Sequence, residues 1–193
     1  MSKIFRKILV FIGLLTVVFV STGSVLLWLN LTEFNPNFIH TYWNFSQRVL
    51  ANQDLGLAMI RSVPVDEGIT VDDLVDSIKS LATSRNLLFA GESKFSEHVT
   101  TVTGKPYPYT NFLSFCDSQA GKLIVDYQPA YTAFMPCRLA ITKDKTGRLW
   151  LHSINLELLI QGGKERPPEV QAAVVRVWDN LKAVMDEAAR GDF

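Results

Sequence analysis

Cys116 and Cys137 are the only cysteines in this chain, and His152 follows them on the next predicted strand. Two thiols this close in sequence allow three chemistries. Outside the cytoplasm they could pair as a disulfide. Such a bridge closes a loop of about 20 residues, worth roughly 3 kcal/mol in the chain-entropy account. It needs Cα atoms within about 7 Å. They could also stay as free thiols in the core, since cysteine is among the most buried residue types. Lastly, they could form a reactive or metal-binding site. Arg138 would lower the pKa of Cys137 if it pointed at the sulfur, but strand alternation sends the two side chains to opposite faces. His152 could add a third soft ligand, although zinc usually takes four ligands, or three and an open position. His40 and His98 lie far along the chain. Tyr127 and Tyr131, with Phe134, could line a pocket beside the same strands. The candidate ligand site is therefore Cys116, Cys137, Arg138, Tyr127, Tyr131 and His152.

The standard catalytic signatures are missing. There is no Cys-x-x-Cys, no haem-attachment Cys-x-x-Cys-His and no His-Glu-x-x-His. Gly163-Lys164 is not a phosphate loop: Leu158 stands where glycine is needed and Glu165 where serine or threonine is needed. Ser114 lacks the flanking glycines of a hydrolase elbow. The acidic pairs Asp66-Glu67 and Asp72-Asp73 sit in a turn and at a helix start, where negative charge serves structure. No catalytic residue and no cofactor are assigned.

The elements that position these residues run from Tyr107 to Asn155. Tyr109–Cys116 reads as a strand. Asp117 can cap a short helix over Ala120, Leu123, Ile124 and Tyr127, which Pro129 stops. Met135–Thr142 is a strand with Cys137, Leu139 and Ile141 on one face and Arg138, Ala140 and Thr142 on the other. Asp144–Gly147 is a hairpin loop. Leu149–Ile154 returns with Trp150, His152 and Ile154 sharing a face. If the two cysteine-bearing strands are antiparallel, Cys116 and Cys137 share one end of the sheet; if parallel, they sit at opposite ends. Ala58–Val65 is a further strand, pushed toward an edge by Pro64. Thr70 caps a helix whose apolar stripe is Val71, Leu74, Val75, Ile78, Leu81 and Ala82. Asn86–Ala90 reads as a strand and Ser93–Val102 as a helix. Residues 156–163 connect to a long helix that starts near Pro167-Pro168, with Val170, Val174, Val177, Trp178, Leu181, Met185 and Ala188 as its stripe.

Upstream of this module, Ile8–Leu29 is an apolar run long enough to cross a bilayer. Ile8, Leu14, Val17, Leu27 and Trp28 are its anchoring residues. Lys3, Arg6 and Lys7 precede it, which predicts a cytoplasmic N-terminus and a single-pass protein of the inner membrane, its C-terminal domain in the periplasm. A cleavable signal peptide is the alternative. Phe38, Ile39, Tyr42, Trp43, Val49 and Leu50 have one-sided helical spacing, so this segment either lies on the membrane surface, with Trp43 as an anchor, or packs on its own domain. Asn30-Leu31-Thr32 matches a glycosylation sequon close to the anchor. The expected organisation is a cytoplasmic tip and anchor over 1–30, a juxtamembrane helix over 31–57 and a soluble domain over 58–193. With 19 basic and 19 acidic residues the chain is neutral, which argues against a nucleic-acid partner.

Three segments carry a resemblance. They are Val63-Pro64-Val65-Asp66-Glu67-Gly68, Leu113-Ser114-Phe115-Cys116-Asp117 and Met135-Pro136-Cys137-Arg138-Leu139-Ala140-Ile141. Together with the element order, they resemble the bacterial family called domain of unknown function 302, over roughly Ala58 to Ile154. The resemblance implies an α+β fold similar to the TATA-box-binding-protein architecture, with a single sheet, helices on one face and a tendency to dimerise. It carries over no catalytic residue. The expected function is a membrane-anchored extracytoplasmic binding or accessory domain, leaning away from an enzyme, whose partners are the lipid bilayer and a membrane protein or a second copy. A thiol-based redox or sulfur-handling protein using Cys137 and Cys116 is the second expectation, and a metal-binding accessory domain the third.

Overall fold

The computed structural model describes residues 3–192, with side chains from Arg6 onward. Met1, Ser2 and Phe193, which the sequence assigns to the cytoplasmic tip and to the end of the last domain, lie outside the described residues. The chain runs α1 (Lys3–Leu31), α2 (Phe38–Asn52), α3 (Leu55–Ala58), β1 (Ile60–Pro64), α4 (Val71–Ser84), β2 (Leu88–Ser93), α5 (Phe95–Thr103) and β3 (Thr110–Cys116). It continues with α6 (Ser118–Tyr127), a 3-10 segment (Pro129–Phe134), β4 (Cys137–Lys143), β5 (Leu149–Ile154), α7 (Glu157–Gln161) and α8 (Pro168–Ala189). The architecture is α+β. One five-stranded sheet has the order β1-β5-β4-β3-β2, and every neighbouring pair is antiparallel.

Alternation divides the sheet into two faces. Leu113, Phe115, Leu139, Ile141, Leu149 and Leu151 point toward the helices and are buried. Against them pack Leu74, Ile78, Leu81 and Ala82 of α4 and Trp178, Leu181, Val184, Met185 and Ala188 of α8. Burying each large aliphatic side chain of this core contributes about 1.5–3 kcal/mol. The α8 stripe repeats every three to four residues, which is why one helix covers the sheet along its length. Ser62, Arg138, Ala140, Thr142, Trp150 and His152 occupy the other face, which these helices leave open. There α5 touches the rim through Phe95, 5.4 Å from Phe112 between ring centroids.

The predicted caps form. Thr70 Oγ1 accepts from Asp73 N at 3.2 Å to open α4. Asp117 Oδ1 accepts from Gln119 N and Ala120 N at 3.0 and 2.9 Å to open α6. In the β4–β5 loop, Asp144 Oδ1 accepts from Thr146 N and Arg148 N, and Gly147 has φ of 89°, a conformation that favours glycine. Thr146 and Trp150 also donate to this carboxylate and hold its pKa down to about 2. Several elements differ from expectation: α3 takes Ala58, so β1 begins at Ile60, and a 3-10 segment forms over Pro129–Phe134. A bulge between Phe89 and Gly91 carries β2 on to Ser93, so the strand is shifted downstream of Asn86–Ala90. Residues 157–161, expected as plain connection, form the short helix α7 because Leu156, Leu159 and Ile160 recur at helical spacing.

Within α1, Arg6–Leu31 is 26 residues long and apolar enough to cross a membrane, and none of it is buried. Its end is joined to the domain. Phe34 bridges Lys164, Asn35 N donates to Gly163 O at 3.0 Å, and Lys164 pairs with Glu33, whose pKa it lowers. Beyond this joint α2 packs on α7. Thr41 Oγ1 donates to Gln161 Oε1 at 2.9 Å, Tyr42 OH to Gly162 O at 3.2 Å, and Arg48 pairs with Glu157 at 3.1 Å. Ile39, Trp43 and Leu50 remain exposed on the outer side of α2, and Leu55 and Leu57 are exposed on α3.

Candidate functional site

The antiparallel pairing of β3 with β4 sets Phe115 opposite Cys137. Cys116, the last residue of β3, and Cys137, the first of β4, therefore share one end of the sheet. Both thiols are free and half-buried. They line one pocket of about 80 Å³, closed by α6, the 3-10 segment, α7 and α8. Phe115, Ile124, Phe134, Leu156, Leu159, Ile160, Val170, Val174 and Val177 make its walls apolar. Gly121 keeps the α6 wall low: a methyl group there would stand 3.6 Å from Cys116 Sγ and 3.9 Å from Met135 Sδ. Burial, and secondarily the charge of Cys116, pushes the Cys137 thiol up to about 11. Burial and Asp117 raise Cys116 as well. Both sulfurs are thus protonated at neutral pH, the opposite of an activated nucleophile.

Two polar groups reach this pocket with different surroundings. Asp117 is capped by amides on one oxygen and paired with Arg176 at 3.3 Å on the other. Arg166 meets only neutral acceptors among the described residues. It donates to Ile160 O at 3.0 Å, Gln171 Oε1 at 3.1 Å, Leu159 O, and the Tyr131 hydroxyl at 3.4 Å. Its guanidinium also lies 5.6 Å from the Tyr131 ring centre. Tyr131 and Phe134 line the pocket, while Tyr127 stacks on Tyr131 from outside it.

The predicted site residues divide between two places. Cys116, Cys137 and Tyr131 come together in the pocket, with Tyr127 beside it. Arg138 and His152 lie on the open face, where they line a wider groove of about 380 Å³ that Cys137 borders. Arg138 stacks over Phe112 at 5.6 Å. The two nitrogens of His152 hydrogen-bond to Ser62 Oγ at 2.8 Å and Thr142 Oγ1 at 3.0 Å. Alternation along β4 and β5 thus turns His152 away from the pocket, and it does not converge with the two thiols. Among the described residues no three His, Cys, Asp or Glu side chains gather as a metal site requires. Sequence reasoning missed Arg166, Gly121, Met135 and the α7 wall. The spacing of Leu156, Leu159 and Ile160 was the available signal for α7; Arg166 had none.

Among curated proteins none matches this chain. A crystal structure of an uncharacterised conserved DUF302 protein from Bacillus stearothermophilus is similar in fold, with a TM-score of 0.57 at 11% identity. The match covers 67% of this chain and 98% of that one. The family described as domain of unknown function DUF302 matches residues 61–188, from β1 nearly to the end of α8. That span includes the sheet, its helices and both cysteines, with α1 to α3 preceding it, and on this match the chain belongs to the DUF302 family.

Proposed function

We propose that this chain is a membrane-anchored binding domain, held outside the cytoplasm by α1, that takes a small apolar ligand or ligand segment in the Cys116–Cys137 pocket. The observation that carries the proposal is the joint between the tether and the pocket wall. Glu33, Phe34 and Asn35 follow the membrane-span candidate directly, and they bond to Gly163 and Lys164 just after α7. Leu156, Leu159 and Ile160, at and beside α7, form one side of the pocket. A domain fixed in this way keeps its pocket close to the bilayer, where the effective concentration of membrane-borne ligands and partners is high.

Three further features support the reading. Lys3, Arg6 and Lys7 precede the apolar run, which favours a cytoplasmic N-terminus. Ile39, Trp43 and Leu50 give α2 an exposed apolar side that suits the headgroup region, while its polar side bonds to α7. The pocket itself is apolar with few polar groups, the usual character of small-molecule sites. The thiol-redox alternative has the shared location of the cysteines in its favour and their raised pKa values against it.

Paired reporter fusions after Asp192 test the placement. Alkaline phosphatase should be active and green fluorescent protein dark, with the protein resisting carbonate extraction. The reverse pattern removes the extracytoplasmic assignment, and release by carbonate removes the anchor. Methanethiosulfonate labelling tests the pocket: apolar solutes should slow the labelling of both cysteines in the folded protein.

A further inference from the structure

We infer that the pocket selects an anionic amphiphile: the alkyl end enters between Cys137 and α7, and the carboxylate or phosphate pairs with Arg166 at the mouth. This inference rests on the reading of the pocket as a binding site and adds the sign of the ligand's charge.

The two charged groups at the pocket are unequally compensated. Asp117, the acid on the wall, is satisfied by two amides and by Arg176. Arg166, the base, has no carboxylate within ion-pair distance among the described residues. Its contacts to Leu159 O and Ile160 O satisfy carbonyls at the end of α7, which carry partial negative charge only. A full positive charge therefore stands beside an apolar void with no full negative charge to meet it. A guanidinium recognises carboxylate and phosphate strongly because its planar N–H groups match their oxygens. The Tyr131 hydroxyl, at 3.4 Å, is the loosest of its contacts and the one an incoming anion would displace. The void is well below the volume of a drug-sized site, so it admits a short alkyl segment rather than a whole lipid. Exposed aromatic rings at the rim, Tyr127 and Phe134, offer apolar contact to the part of the chain left outside.

The test uses the full chain in phosphatidylcholine nanodiscs, with methanethiosulfonate labelling of Cys116 and Cys137 read by mass spectrometry. Octanoate, octanol and octylammonium carry the same chain with negative, zero and positive charge. Octanoate should protect the thiols at about tenfold lower concentration than octanol, the usual scale of one charge-assisted hydrogen bond. Octylammonium should protect least. In Arg166→Gln, octanoate should fall to the level of octanol, while octanol protection stays unchanged. Equal protection by all three probes overturns the inference and leaves the binding pocket standing. Equal weakening of octanoate and octanol in Arg166→Gln also overturns it, because Arg166 would then only brace α7. No protection by any probe removes the pocket reading together with the inference. Because the charge series needs no variant, the test survives if Arg166→Gln fails to fold. Replacing part of the phosphatidylcholine with phosphatidylglycerol identifies the source. Protection that appears without octanoate and disappears in Arg166→Gln supports the inference with a membrane lipid as ligand. Protection by octanoate alone supports it with a free amphiphile.

Discussion

The two faces of the sheet are built from the same strands and hold different chemistry. On the covered face, Leu139 and Ile141 are fully buried under α4 and α8, and the cysteines end in an apolar pocket with raised pKa values. One residue along the same strand, Arg138 reaches the open face and lies over Phe112. His152 sits there between two hydroxyl groups. Cys137 and Arg138 are thus divided by a single peptide step, as alternation along β4 predicts. Strand alternation separates Arg138 from Cys137, whereas Cys116, which shares the parity of Ser114, reaches the pocket because β3 ends there.

The sharpest test of that division is a pair of substitutions on β4. Leu139→Ala removes a fully buried side chain and should cost about 2–5 kcal/mol, since the surrounding core collapses only in part. Arg138→Ala, next to it, loses one stacking contact on an exposed face and should cost about 1 kcal/mol or less. Unfolding midpoints of the full chain in mild detergent measure both. Similar losses from the two variants would break the contrast between the faces.

The covered face should also be sensitive to alkali. Cys137 is raised from 9.0 to about 11, so in the unfolded chain it ionises first. The stabilising contribution is complete below pH 9 and disappears as pH climbs toward 11. By linkage this amounts to about 2–3 kcal/mol for such a shift. Melting temperatures of wild type and Cys137→Ala, followed over that range, should converge. Parallel curves would mean that the thiol is more hydrated than its burial suggests.

Gly121 offers a smaller effect of opposite sign. It lies inside α6, where glycine is less favourable than alanine by about 0.5–1 kcal/mol. The added methyl would meet Cys116 Sγ at 3.6 Å, an ordinary contact. Gly121→Ala should therefore stabilise the fold by about that amount and narrow the pocket, visible as a higher melting point with weaker ligand protection of Cys137. A fall in stability would show that the pocket is tighter than this distance allows.

These contrasts also mark what the sequence discloses. Thr70 and Asp117 announce their helices because a capping side chain acts on amides two or three residues away. The alternation of Cys137, Leu139 and Ile141 is equally local, so the covered face of β4 could be read in advance. Arg166 could not. Its importance comes from carbonyls on α7 and a hydroxyl 35 residues away, and no spacing rule connects them. The joint between the end of α1 and the domain is less legible still, because Glu33 and Lys164 meet 131 residues apart in a chain with no net charge to point at the pair. Local rules deliver caps and faces; the pocket arises where β3, β4, α6, the 3-10 segment, α7 and α8 meet.

The smallest predicted effect tests the open face. Burial lowers the pKa of His152, so its neutral form is the folded one. For a base whose folded pKa is depressed, the stabilising contribution is present above the unfolded value of 6.5 and is lost as pH falls below it. The loss should be slight. Ser62 and Thr142 are both hydroxyls, and each can rotate to accept a hydrogen bond from a charged ring. Protonation therefore reorients two partners and breaks neither contact, leaving only the hydration of a half-buried ring to oppose it. The wild type should lose slightly more stability than His152→Gln between pH 6.5 and the onset of carboxylate protonation, and NMR titration of the ring should give a midpoint below 6.5. A midpoint above 6.5 would mean that an anion lies close to this face, and the division of the charged chemistry between the two faces would have to be redrawn.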